Sequence, residues 1–301
     1  MQSFLRLNRK ALSKQGFSYP AAHRSQSNGN ATPAALSLSD ETPDWVTKLG
    51  QNSTTSTFMF EFFWSQLLDV NDHAKSTIIA SSEEFEAVDP KVFAERSQFD
   101  GKKKKIVVFL RRQDRIIESL YVQLIRYGFT SDSISKFVQN AMRSGSYPQR
   151  TYAYYDLLEK WAGVFGKENV MPVLYRRTSS DFLYRSFLKA SGISMNDSFV
   201  IPKNLNQTKS NFITLNYFRI INKLGLYTTR GDKRRGKTIR MVDKLNSKFG
   251  LKNRRELFSL SQRKQIMDAF LEQNQKVSQE YFDSAPSDLF DTDDLRDIKT
   301  Y

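Results

Sequence analysis

Cysteine is absent from the 301 residues, and histidine occurs only at His23 and His73. The first absence excludes a disulfide framework, thiolate-bound zinc, an iron–sulfur cluster and a thiol nucleophile. The second excludes a multi-histidine metal centre. Glycine (13) and proline (8) are sparse, which excludes collagen-like and low-complexity structure. No stretch approaches the roughly 20 apolar residues that span a bilayer. Arg6, Asn8, Arg9 and Lys10 interrupt the start, so no apolar leader core follows Met1. These absences predict a soluble, cytoplasmic chain, with peripheral membrane attachment as an option.

What is present argues for a folded core. Hydrophobic residues make up 39% and aromatics 13%, with 23 Phe and 13 Tyr, too many for a disordered chain. The length suits one large α/β domain or two small ones. Lys and Arg number 46 against 32 acids, a net charge of +14. That excess either serves polyanions and anionic surfaces or is simple basicity.

Short apolar runs alternate with helical patterns. Residues 3–15 carry Phe4, Leu7 and Ala11 at helical spacing, and Gly16 stops them. Phe17–Pro20 reads as extended, and 21–40 as a long polar loop. A helix is predicted over Thr57–Leu68 and a buried strand over Ser76–Ala80. Ile106–Leu110 (IVVFL) is the best strand in the chain, expected to be buried on both faces. Helices follow at 132–143 and 150–165, a buried strand at Val170–Tyr175, and a helix at 179–191 capped by Gly192. Beyond 207 the pattern is helical only: 210–224, 239–248 and 260–282. This alternation predicts an α/β fold with a parallel sheet. Residues 283–301, with six Asp, read as a solvated acidic tail.

Residues 223–255 hold 12 Lys or Arg, with Arg230, Lys233, Arg234, Arg235 and Lys237 in a predicted glycine-punctuated loop. The cluster is an anion-binding arm for acidic glycan or membrane headgroups, or a solvated surface. No helix-turn-helix, RNA-binding aromatic motif or zinc pattern accompanies it, which argues against nucleic acid.

The chemically richest stretch is Ile106–Tyr121, IVVFLRRQDRIIESLY. A buried strand ends at Arg111, and the following helix presents Ser119. Ligands of open α/β sheets bind outside the carboxyl ends of the strands, where an Arg fork grips a phosphate with two hydrogen bonds. A structural ion pair and a solvated serine are the plainer alternative. The stretch resembles the 3′-phosphate-binding segment of sulfotransferases that use 3′-phosphoadenosine 5′-phosphosulfate (PAPS), whose pattern is strand, Arg, and Ser eight positions later. FLRLNRKALSKQGFSYP resembles the helix and strand that follow that family's phosphosulfate loop, STIIASSEEF its Ser-Ser-Glu strand end, Tyr154–Gly192 its next βα unit, and NLNQTKS with Asn222, Phe270, Asn274 and Tyr281-Phe282 its C-terminal helices.

The resemblance implies a P-loop-like three-layer domain, a parallel sheet flanked by helices with a helical C-terminal extension. It apportions 1–205 to the sulfotransferase core, 206–282 to the helical part with the basic arm, and 283–301 to the tail. The implied reaction moves a sulfuryl group from PAPS to a hydroxyl of a carbohydrate or glycolipid, without a metal. Arg111 and Ser119 would hold the nucleotide 3′-phosphate, and Arg112 is a weaker neighbour, facing solvent or a helix acid. Glu83, at a predicted strand end, and His23, in the loop after Tyr19-Pro20, are alternative general bases; a helix-capping role is the plainer reading of Glu83. His73 reads as surface, and Asn28 and Asn30 as sugar contacts or turn formers.

One departure is large. The family begins with a middle strand of the sheet and a loop close to Lys-Thr-Gly-Thr-Thr-Ser that cradles the phosphosulfate. Met1-Gln2-Ser3-Phe4-Leu5 corresponds to the helix just after that loop. Either the natural start lies about 15–20 residues earlier, roughly a strand plus a loop, or the chain is an inactive remnant that binds nucleotide or acidic glycan. The sequence from Met1 is expected not to transfer sulfuryl groups.

Overall fold

The computed structural model describes residues 1–19, 77–96, 103–147, 150–175, 179, 181–202, 212–226, 233–248, 257–283 and 288–292. The predicted helix over 57–68 and the loop over 21–40 lie outside them. The architecture is mixed α/β and mostly helical, with two small parallel sheets. The chain divides into two compact units, changing from the first to the second at Leu110/Arg111, back at Tyr155/Asp156, and again at Asn204/Leu205.

The first unit opens with α1 (Gln2–Leu7) and α2 (Arg9–Ser13), where the periodicity predicts one helix. The break is at Asn8, which is buried. Its side-chain amide donates to the Phe4 carbonyl at 2.8 Å and the Val200 carbonyl at 2.9 Å, and its Oδ1 accepts from the Val200 N–H at 2.7 Å. A long-range clamp outweighs helix continuity here. β1 (Phe17–Ser18) pairs in parallel with β2 (Thr77–Ile78), the kept part of the predicted 76–80 strand. Tyr19 follows, and burial pushes its phenol up to about 12 against the pull of Arg9 and Arg6. After β2 come a 3-10 turn (Glu84–Ala87) and α3 (Pro90–Arg96).

β3 (Ile106–Leu110) pairs in parallel with β4 (Val170–Leu174), Ile106 opposite Val170 and Leu110 opposite Leu174. Among the described residues the strands form two parallel pairs, β1 with β2 and β3 with β4. β3 has one described neighbour, so only Leu110 is fully buried and the rest of its apolar run is half-buried. β4 is half-buried beyond Val170 for the same reason, and Pro172, lacking an N–H, suits it to an edge.

α6, which begins in the second unit at Tyr154 and ends at Phe165, contributes Trp161 and Phe165 to an aromatic cluster around Phe93 of α3. The helix predicted from residue 150 begins four residues later because Thr151 bridges to Ser146. Gly166 ends it at φ +84°, a left-handed conformation, and a Cβ there would meet Glu168 Oε1 at 2.5 Å. α7 (Phe182–Ser191) ends at Gly192 as predicted. Phe187 and Leu188 of α7 join Phe4, Leu5, Leu12, Tyr19 and Ile79 in the core of this unit.

The second unit is helical: α4 (Gln113–Tyr127), α5 (Ile134–Ser144), α8 (Phe212–Lys223), α9 (Lys233–Lys248), α10 (Leu260–Ala269) and α11 (Leu271–Tyr281). Ile117, Tyr121 and Ile125 of α4 face Phe137, Leu215, Phe218, Ile266 and Phe270 in its core. The predicted 260–282 helix is two, joined at buried Phe270, whose ring lies 6.1 Å from that of Tyr152. Ser259 and Gln262 form a capping box at the start of α10. The acidic tail is not wholly solvated. Leu289 and Phe290 are buried, Phe290 lies 6.2 Å from Tyr154, and the Asp291 carbonyl accepts from Arg112 at 2.9 Å. Two apolar residues among the acids thus bury part of it.

Candidate functional site

The site begins where β3 ends. Val107 and Val108 favour the extended backbone, and the Tyr175 N–H extends the ladder by donating to the Leu110 carbonyl at 2.7 Å. Arg111 comes next and is half-buried. Its carbonyl accepts from the hydroxyl of buried Tyr154, which fixes the peptide as the chain turns. Arg112 is the N-cap residue of α4, with φ −48° and ψ 128°.

Ser119 lies in the second turn of α4 and is half-buried; its hydroxyl makes no hydrogen bond among the described residues. It falls on the helix face opposite Ile117, Tyr121 and Ile125, which form the core contact. Arg115, one turn earlier, shares that face. Sequence reasoning missed Arg115, although four-residue spacing from Ser119 is the signal for it. Arg111 and Ser119 thus bracket the first two turns of α4.

The sequence leaves Arg112 facing solvent or a helix acid; the structure puts it on the acid. It holds Asp114 with two bonds, 2.7 and 3.0 Å. Asp114 is fully buried and also meets Arg263 of α10 at 2.8 Å. Arg263 reaches Glu118 at 2.7 Å, and Glu118 accepts from the Leu257 N–H at 2.8 Å. Burial works to lower the Arg263 pKa, but Glu118 and Asp114 outweigh it and hold the guanidinium above its ordinary value. Beside them Gln113 donates to Asn274 Oδ1 at 2.7 Å, so two neighbouring polar residues of α4 are tied to the C-terminal helices. The start of α4 is held by charge and amide bonds from helices far along the chain. Local sequence carries no signal for such partners.

Glu83 belongs to the first unit, where it is exposed and takes the N-cap position of the 3-10 turn. Ser82 Oγ accepts from the Glu84 N–H at 3.1 Å, the capping arrangement weighed against a catalytic role. Burial lowers the Met1 amine pKa, and the charge of Glu83 opposes the shift. His23, His73, Asn28, Asn30 and Arg230 lie outside the described residues.

The basic arm needs correcting. Lys233, Arg234, Arg235 and Lys237 stand in the first turns of α9, not in a loop. Gly236 costs helix only about 1 kcal/mol relative to Ala, and Arg235 provides the anchor. It is buried and donates to the Arg126 and Ile125 carbonyls at 2.7 Å each. There its charge meets the negative end of the α4 dipole. Asn222 donates to the Ile125 and Thr130 carbonyls at 2.9 and 2.7 Å, closing the same helix end. Arg235 is therefore a structural cap and leaves the anion-binding set.

Among the described residues no group of three His, Asp or Glu side chains is placed to hold a metal ion, and no helix is long and apolar enough to cross a membrane. No family model matches the chain, and no solved structure matches it. Among curated proteins it is similar to an uncharacterized protein of Archaeoglobus fulgidus, 29% identical over 182 residues. The match covers 59% of this chain, and the chain spans 46% of that relative's length.

Proposed function

We propose that this chain is part of a PAPS-dependent sulfotransferase acting on a carbohydrate or glycolipid hydroxyl, with a P-loop-like sheet, and that Arg111 and Ser119 bind the nucleotide 3′-phosphate. One observation carries the reading: a half-buried Arg leaves the carboxyl end of a parallel strand, and a half-buried Ser, without a hydrogen bond among the described residues, follows eight residues later on the next helix. The fit is chemical. The guanidinium supplies a charged fork and Ser119 a neutral donor, the set a phosphate dianion takes. Tyr154 positions Arg111 by holding its carbonyl.

The phosphosulfate-cradling loop of that family has no counterpart among the described residues, so they provide for the 3′ end of the nucleotide alone. In the transfer, an acceptor oxygen forms a bond to sulfur as the sulfur–oxygen bond to the nucleotide phosphate breaks. The acceptor proton passes to a base.

The test separates binding from turnover. Calorimetric titration compares adenosine 3′,5′-bisphosphate with adenosine 5′-monophosphate on the wild type, Arg111→Ala and Ser119→Ala. Only the bisphosphate should bind well. Loss of a charge-assisted fork worth about 1.5–3 kcal/mol weakens it about 10- to 150-fold in Arg111→Ala. Loss of a neutral hydroxyl bond weakens it about 2- to 10-fold in Ser119→Ala. Equal affinity for the two nucleotides, or no effect of Arg111→Ala, would sink the assignment.

A further inference from the structure

Six of the ten exposed large apolar side chains among the described residues come from one stretch: Tyr217, Ile220, Leu224, Leu226, Met241 and Leu245. All belong to α8, α9 and the residues just after α8. Soluble surfaces carry single exposed apolar residues routinely, but a concentration of them marks an interaction site.

The charge around them is mostly positive. The sequence of α9 holds seven Lys or Arg and one acid, Asp243. At 3.6 residues per turn, Arg234, Lys237, Arg240, Lys244 and Lys248 fall within an arc of about 140°. All five are exposed, and Met241 and Leu245 lie in the same arc. The opposite face carries Arg235, Ile239 and Val242, the side that meets the core. On α8, Phe218 faces inward while Tyr217, Ile220 and, just beyond the helix, Leu224 are exposed beside exposed Lys223.

We infer that the α8–α9 region of the second unit is a docking surface for an anionic membrane. Cations alone would serve an acidic glycan or a nucleic acid equally. The apolar side chains decide the matter: they gain nothing from a phosphate or sulfate backbone, whereas at a bilayer they enter the headgroup–acyl boundary. The long Lys and Arg stems then place their charges among lipid phosphates. The inference rests on this surface alone and is independent of the nucleotide-site reading.

Vesicle co-sedimentation of the full chain tests it, using phosphatidylcholine vesicles with and without phosphatidylglycerol. Binding should require the anionic lipid and fall steeply with added salt. At about fivefold per cation, Lys237→Gln with Lys244→Gln should lower partitioning about 25-fold. Met241→Ser with Leu245→Ser should lower it about tenfold or more, with retention on heparin unchanged. All four side chains are exposed, and circular dichroism checks that each variant keeps its helices. No binding to anionic vesicles, or equal binding to neutral ones, overturns the proposal. Wild-type partitioning by the apolar double variant also overturns it and makes the surface a plain polyanion site.

Discussion

Replacing Arg263 by Ala tests the charge network that holds the start of α4. The guanidinium is 1% exposed and lies 2.8 Å from fully buried Asp114 and 2.7 Å from Glu118. Removing one partner of a buried pair costs about 3–5 kcal/mol, because the other charge is left without compensation. Here the low end applies. Asp114 keeps both bonds from Arg112, and Glu118 keeps its bond from the Leu257 N–H. A loss of about 3 kcal/mol corresponds to about 6–12 °C in Tm for a unit of this size, at roughly 2–4 °C per kcal/mol. Thermal unfolding followed by circular dichroism reads it directly. Arg263→Lys sharpens the test: it keeps the charge but cannot fork between two carboxylates, so it should recover only part of the loss. A Tm within about 2 °C of wild type for Arg263→Ala, or full rescue by Lys, would show that this network is not what ties α10 to α4.

Phe290→Ala should cost about 3 kcal/mol, the lower end for a buried Phe, and expose the C-terminal segment to limited proteolysis; an unchanged digestion pattern would mean the segment is not docked. Asp132 is partly shielded by burial, but bonds from Lys136 (2.8 Å), Tyr147 (3.0 Å) and Thr130 outweigh that and hold its carboxyl below the ordinary range. Its contribution is therefore present above the unfolded pKa, about 3.9, and lost as pH falls through the lower folded value. Asp132→Asn should flatten the decline of stability below about pH 4, and an identical acid limb in wild type and variant would refute this.

The legible parts of the chain were those in which local chemistry decides. The β-branched run at Ile106–Leu110 and the left-handed stop at Gly192 needed no distant partner to be recognised. Placing Arg111 at a strand end followed from the same run. The misread parts were settled by distant partners. Asn8 splits a helix because Val200 offers it a backbone to clamp. The stretch from Lys233 is helical, and there Arg235 finds the carbonyl end of α4. Acidic composition outvoted Leu289 and Phe290, both buried, the latter beside Tyr154. The pairing of Asp114 with Arg263 spans 149 residues and leaves no trace in either neighbourhood.

Those separations have a consequence for biosynthesis. Asn8 and Val200 are 192 residues apart, and each compact unit is assembled from pieces that alternate along the chain. At roughly 5–20 residues per second, a ribosome delivers Arg263 about 7–30 s after Asp114. Through that interval Asp114 and Glu118 lack Arg263. The first unit cannot complete before Asn204 has emerged, nor the second before the helices that follow Leu205. Folding of each unit in the cell is thus deferred past its early strands, and yield should depend on holdase chaperones more than on codon-level pausing within them.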